Sequence, residues 1–161
     1  MVIVVPEFKI VKGQIVFLAG PIQGAEDWQA RAIDLISKAN HKLNIATPRG
    51  NYANMNFDYD LQVKWESHYL ARASRSGAIL FWLAKEKVHY CERSYAQTTR
   101  SELGEWRTMA KINPLIKLFV GIEPGFTGER YQRAKLEEDC PNVKIHKTLE
   151  DLCRDVVQAL S

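Results

Sequence analysis

The chain has 161 residues, 46% hydrophobic and 25% charged, the balance of an ordinary globular protein long enough for one sizeable core. Its net charge of +3 is too small to signal polymeric nucleic acid, and no Lys/Arg block with interleaved aromatics appears. No apolar run approaches the length of a membrane-spanning helix, so a membrane partner is not expected either.

Met1 to Pro6 lacks a charged segment and a cleavage site, so it does not read as a signal peptide. Residues 1–11 are expected to add a strand or a loose arm. Ile15 to Ala19 is a buried-strand candidate ending at Gly20-Pro21. Asp27 to Asn40 reads as a helix with Trp28, Ala32, Leu35 and Ile36 on one face. A short strand follows at Leu43 to Ala46, then a loop from Arg49 to Phe57. Asp58 to about Ser74 is helical by spacing, with Leu61, Trp65 and Tyr69 aligned. Ala78 to Leu83 is a strand. A loop leads to a helix opened by Thr99, which packs Leu103, Trp106 and Ala110. Leu115 to Gly121 is a strand, Gly128 to Asp139 a charged helix, and Val143 to His146 a short strand. The last helix starts at the cap Thr148 and buries Leu149, Leu152, Cys153, Val156, Val157 and Leu160.

Strands alternating with helices predict an α/β protein: a doubly wound, flavodoxin-like (Rossmann-like) parallel sheet of about five strands with helices on both faces. The whole chain, 1–161, is expected to be one domain. In such a sheet ligands bind beyond the carboxyl ends of the strands, at the switch in strand order. Gly20–Asp27, Thr47–Phe57 and Lys85–Glu102 should meet there.

Each candidate residue has a functional and a plain reading. Gly20, Pro21 and Ile22 form either a tight turn or a backbone cradle for an anion or sugar hydroxyl. No G-x-G-x-x-G or P-loop pattern accompanies them. Asp27 favours a helix start, and Trp28 is either core or a stacking surface for a base. Arg49 is a solvated cation or a bidentate anion fork. Glu66 is a surface carboxylate or the partner of Glu102, with Asp58 and Asp60 as rivals. Glu102 closes the box Thr99-x-x-Glu102, so it is either a capping residue or a catalytic carboxylate at the mouth of a helix. Arg100 can face the same cleft or lower the pKa of Glu102.

Three scattered cysteines, Cys91, Cys140 and Cys153, make neither a disulfide framework nor a zinc pattern, which suits a reducing cytoplasm. His41, His68, His89 and His146 have no metal spacing, and no metal is expected. No G-x-S-x-G elbow supports a serine hydrolase.

Together, Phe17 to Ile22, Asp27-Trp28-Gln29, Pro48-Arg49, Gln62 to Glu66, Ile79 to Trp82 and Thr98 to Gly104 resemble the nucleoside 2-deoxyribosyltransferase family, especially its shorter, divergent branch. The resemblance runs from about residue 14 to 121; the last forty residues match only in strand-helix pattern. It implies a flavodoxin-like fold, homo-oligomers and no cofactor. Its partners would be a nucleoside or nucleotide and a free nucleobase. Glu102 then matches the family's nucleophile, attacking C1′ to form a glycosyl ester that a second base resolves. Gly20, Pro21, Ile22, Asp27, Trp28, Arg49, Trp65 and Arg100 become candidate substrate-binding residues.

Two departures accompany the resemblance. The stretch Tyr90–Thr99 holds Glu92 where well-studied members carry an Asp, so Glu66 is the first candidate for the acid and Glu92 the second. Thr47-Pro48-Arg49-Gly50 stands where the divergent branch reads Asn-Pro-Arg-Arg. An N-glycosidase on the same scaffold and a non-catalytic nucleotide-binding module are the alternative readings.

Overall fold

The structure is a computed structural model that describes residues 1–50 and 58–161. The part of the Arg49–Phe57 loop expectation that covers residues 51–57 lies outside the described residues.

Among the described residues, six strands form one all-parallel sheet: β1 (Val2–Val4), β2 (Ile15–Ala19), β3 (Asn44–Thr47), β4 (Gly77–Leu83), β5 (Leu118–Ile122) and β6 (Ile145–His146). Five helices connect them: α1 (Trp28–Ala39), α2 (Tyr59–Arg75), α3 (Gln97–Ile112), α4 (Glu129–Asp139) and α5 (Leu149–Ala159). The strand order is β1-β3-β2-β4-β5-β6. From β2 the chain goes to β3 on one side and then returns to β4 on the other. This is the flavodoxin-like arrangement with one further edge strand, and its switch point lies between β2 and β4. The sixth strand is the N-terminal arm, which pairs with β3 in the register Ile3 to Ala46.

Side-chain alternation along the strands divides the core into two layers. Ile15, Phe17 and Ala19 of β2 and Ile79, Phe81 and Leu83 of β4 meet Trp65 and Tyr69 of α2, Leu103 and Trp106 of α3 and Leu136 of α4. Val16, Leu18, Leu80 and Trp82 face the other way, onto Trp28 and Ile36 of α1 and Leu152 and Val156 of α5. Strands covered on both faces must be apolar at nearly every position, and β2 is buried throughout.

Helix starts follow the expected chemistry in three places. Asp27, Asp58 and Thr148 each accept a backbone N–H at the start of α1, α2 and α5. The exception is α3. It begins at Gln97, not Thr99, from Ala96 in the left-handed region (φ 54°), without a side-chain cap. Tyr95 anchors the preceding turn by donating its hydroxyl to Ala84 O at 2.6 Å, beside the ring of Phe126. Arg100 N–H already bonds Ala96 O at 2.9 Å, so the helix is closed two residues earlier than the sequence suggests. Thr99 is buried inside the first turn. Thr99-x-x-Glu102 is therefore not a capping box, and Glu102 projects from the second turn.

Two strands start later than their apolar runs. Asn113 and Ile116 close a turn, which leaves Leu115 85% exposed and moves the start of β5 to Leu118. Val143 N–H bonds Cys140 O in another turn, so β6 keeps only Ile145 and His146.

Candidate active site

The carboxyl ends of β2 and β4 open into a cavity of about 440 Å³, at the switch in strand order. Three walls build it. Gly20 to Gln23, just past β2, form the first, with Pro48 beyond β3 beside them. Tyr59, Gln62, Val63 and Glu66 form the second; at spacings of three and four they share one face of α2. The β4–α3 connection gives the third, with Glu86, Tyr90, Arg93 and Tyr95, followed by Gln97 to Thr99 and Glu102 of α3.

The first wall is held tightly from behind. A Cβ on Gly20 would lie 2.4 Å from Trp82 O and 2.6 Å from the Trp28 indole, so only glycine fits there. The Trp28 indole N–H donates to Pro21 O at 2.9 Å. Gly24, at φ 82°, accepts from the backbone N–H groups of Lys87 and Val88 at 2.7 and 3.1 Å, which fastens the first wall to the third.

Glu66 and Glu102 both line this cavity. Gln62 Nε2 donates to Glu66 Oε1 at 2.9 Å. Burial raises the Glu66 carboxyl above its ordinary value, and the Gln62 bond pulls it partly back. Burial also pushes Glu102 up, to about 8, with repulsion from Glu66 and Glu105 adding to it. Two carboxyls that repel each other in one cavity disfavour being ionised together, which favours a singly protonated pair.

Of the residues singled out from sequence, Gly20, Pro21, Ile22, Glu66 and Glu102 come together in this cavity. The others go elsewhere. Trp28 is buried beneath the first wall, where its ring cannot stack on a ligand. Trp65 is fully buried between Phe17 and Tyr69, its N–H donating to Glu7 O at 2.9 Å. These two indoles are structural supports because their strand-facing positions demand bulk. Asp27 caps α1 and lies 3.5 Å from Arg49 Nε. Arg49 also donates to Ile22 O at 3.0 Å and Glu26 O at 3.2 Å, so its guanidinium ties the first wall to β3. Asp27 and Arg49 line a second cavity of about 380 Å³, with Ile22 as the partition between the two. Arg100 turns away from Glu102, donating to Thr127 O at 2.7 Å with its charge 5.2 Å from the centre of the Phe126 ring. Of the alternative acids, Glu92 is exposed, Asp58 is spent as a cap and Asp60 is exposed, and none of them lines the cavity.

The lining residues that sequence reasoning missed are chiefly Tyr59, Gln62, Val63, Glu86, Tyr90, Arg93 and Tyr95. The first three were readable, since they stand seven, four and three residues before Glu66 on one helical stripe. Those of the β4–α3 connection carry no periodic signal. Arg93 donates to Gln23 Oε1 at 3.1 Å and Thr98 Oγ1 at 3.3 Å, and Glu86 is engaged by His89 at 2.9 Å. Among the described residues no three His, Cys, Asp or Glu side chains gather as a metal site, and no helix is long and apolar enough to cross a membrane.

Two carboxyls in one cavity, one ionised and one protonated, can attack an electrophilic carbon with one member and protonate a leaving group with the other. A family model described as nucleoside 2-deoxyribosyltransferase like matches residues 13–117. That span contains all three walls of the cavity. No curated protein matches the chain.

Proposed function

Because this chain belongs to the nucleoside 2-deoxyribosyltransferase-like family, we propose that it moves a 2-deoxyribosyl group from one nucleobase to another, with Glu102 as nucleophile and Glu66 as the acid. The observation that carries this reading is the pairing of Glu66 on α2 with Glu102 on α3 in one cavity at the switch point. The cavity volume lies in the range of small-molecule sites, roughly 300–1,000 Å³.

Reaction would proceed by double displacement. The Glu102 carboxylate attacks C1′ as the C1′–N bond breaks, through an oxocarbenium-like transition state, and Glu66 gives its proton to the departing base. An acceptor base then attacks C1′ of the Glu102 ester and passes its own proton to Glu66. Glu102 leaves as a carboxylate, so the second half restores the starting pair. Glu66 takes the part that the missing loop Asp would suggest for another residue, because it is the second carboxyl that repels Glu102 inside the cavity. The wall from Gly20 to Gln23 would bind sugar and base through backbone groups. The rims Tyr59 and Tyr90, 67% and 42% exposed, offer flat faces to a base.

The test is direct. The protein is incubated with deoxyinosine or thymidine, with and without a free acceptor base, and products are separated by chromatography. A new nucleoside supports transfer, and free sugar alone makes the protein an N-glycosidase. No turnover across deoxynucleosides and deoxynucleotides rejects an enzymatic role. Intact-mass detection of a sugar adduct that is absent in Glu102→Ala supports the covalent step.

A further inference from the structure

Of the three carboxyls that line the cavity, Glu66 and Glu102 need opposite protonation states in the proposed reaction, and one side chain beside them is chemically two-faced. Gln62 stands one turn before Glu66 on α2 and lines the same cavity. Its Nε2 donates to Glu66 Oε1 at 2.9 Å, while its Oε1 is buried without a hydrogen-bond partner. Among the described residues Gln62 is the hydrogen-bond partner that Glu66 has. A buried orphan acceptor is unfavourable and calls for an explanation. A carboxamide carries donors at one end and an acceptor at the other, and half a turn about its last bond exchanges them with little change of shape. A donor facing a carboxyl favours its anion, and an acceptor facing it favours its acid.

We propose that Gln62 is a positioning residue that allots the single proton of the Glu66–Glu102 pair. With its NH₂ turned to Glu66, it holds that carboxyl as the anion and leaves the proton on Glu102, the resting arrangement. With its carbonyl turned to Glu66, it holds Glu66 as the acid and frees Glu102 as the carboxylate. On the double-displacement reading above, on which this assignment rests, the second arrangement is the reactive one. One proton moves from a Glu102 oxygen to a Glu66 oxygen as the amide turns. Glu102 then forms its bond to C1′ while C1′–N breaks, and the proton on Glu66 goes to the leaving base. No charge is gained or lost in the turn, and no further reactant is needed.

Other titratable groups line the cavity or act on one member, but among the described residues none of them hydrogen-bonds Glu66. Tyr59 comes from α2, Glu105 from α3, and Glu86, Tyr90, Arg93 and Tyr95 from the β4–α3 connection. Glu105 raises Glu102, and Arg93 is held by Gln23 and Thr98.

The experiment is a side-chain carboxyl titration by carbon-13 NMR on the full chain, wild type against Gln62→Met, which keeps length and bulk but not the amide. In the variant the Glu66 midpoint should rise and the Glu102 midpoint fall, each by about 0.5–1 pH unit. The acid side of the kcat–pH profile should move to lower pH with Glu102. Unmoved midpoints with a lower kcat would make Gln62 mere packing and overturn the assignment. If Gln62→Met does not fold, the wild-type Gln62 side-chain amide resonance is followed instead. It should shift at the midpoints of the pair, and a flat response overturns the assignment. Absence of turnover in the wild type would reject the transferase reading, while the titration still decides Gln62 on its own.

Discussion

Glu102→Gln separates a functional carboxyl from a structural one, because it should stabilise the fold in a pH-dependent way. Glutamine keeps the shape of the side chain and removes its charge. The Glu102 carboxyl rises from the ordinary 4.5 to about 8 on folding, chiefly through burial. Below pH 4.5 it is protonated in both folded and unfolded chains, and folding is unaffected. Between 4.5 and 8 the unfolded chain releases the proton and the folded one keeps it. Native stability therefore falls by up to about 1.4 kcal/mol for each pH unit. Above 8 the full penalty is present, about 5 kcal/mol for a fully dry site. Water in the cavity screens part of it, leaving about 2–4 kcal/mol. Glutamine carries no such penalty. Thermal unfolding followed by circular dichroism at pH 4, 7 and 9, at constant ionic strength, reads the difference. At about 2–4 °C for each kcal/mol in a chain of this size, the variant should melt about 5–10 °C above wild type at pH 9. The two should nearly coincide at pH 4. A gap that is the same at all three pH values, or a variant less stable at pH 9, would refute the argument that burial holds this carboxyl in its acid form.

Glu66→Gln removes the repulsion that helps raise Glu102, so the acid limb of the kcat–pH profile should move to lower pH than in the wild type. Its kcat should also fall by about 10²–10⁴, the usual contribution of a general acid; pre-steady-state base release measures both, and an unshifted limb counts against the pairing. Gly20→Ala places a methyl group against Trp82 O and the Trp28 ring, and urea unfolding should show a loss of about 1–3 kcal/mol. Arg49→Met removes one of the two donors to each of Ile22 O and Glu26 O, which keep the N–H groups of Ala25 and Trp28, with an expected loss of about 0.5–1.5 kcal/mol and a higher KM from a loosened first wall. If Arg49 instead bound a substrate phosphate, the KM effect would appear with nucleotides and be absent with nucleosides.

The chain order of apolar runs, glycine turns and helical stripes was enough to read an α/β parallel sheet and the region where its ligand binds. These signals are local: burial on both faces makes β2 and β4 continuously apolar, and side-chain caps mark three of the five helix starts. The pairing of Glu66 with Glu102 was readable only as one option among several acids, because Asp58, Asp60 and Glu92 are chemically equivalent in a string of letters. Tertiary structure chose among them. The sheet order brings α2 and α3 to the same cavity, and one stripe of α2 faces it, so Glu66 points in while Asp60 does not. Side-chain partners decided the rest. Arg49 and Arg100 satisfy backbone carbonyls, and Trp28 and Trp65 fill space under the site. The start of α3 shows the same division. Thr99-x-x-Glu102 has the spacing of a capping box, but Tyr95, tied to Ala84 from eleven residues away, starts the helix early. That contact turns Glu102 from a helix cap into a carboxyl lining the cavity, and its raised pKa follows chiefly from burial there, with repulsion from Glu66 and Glu105 adding to it.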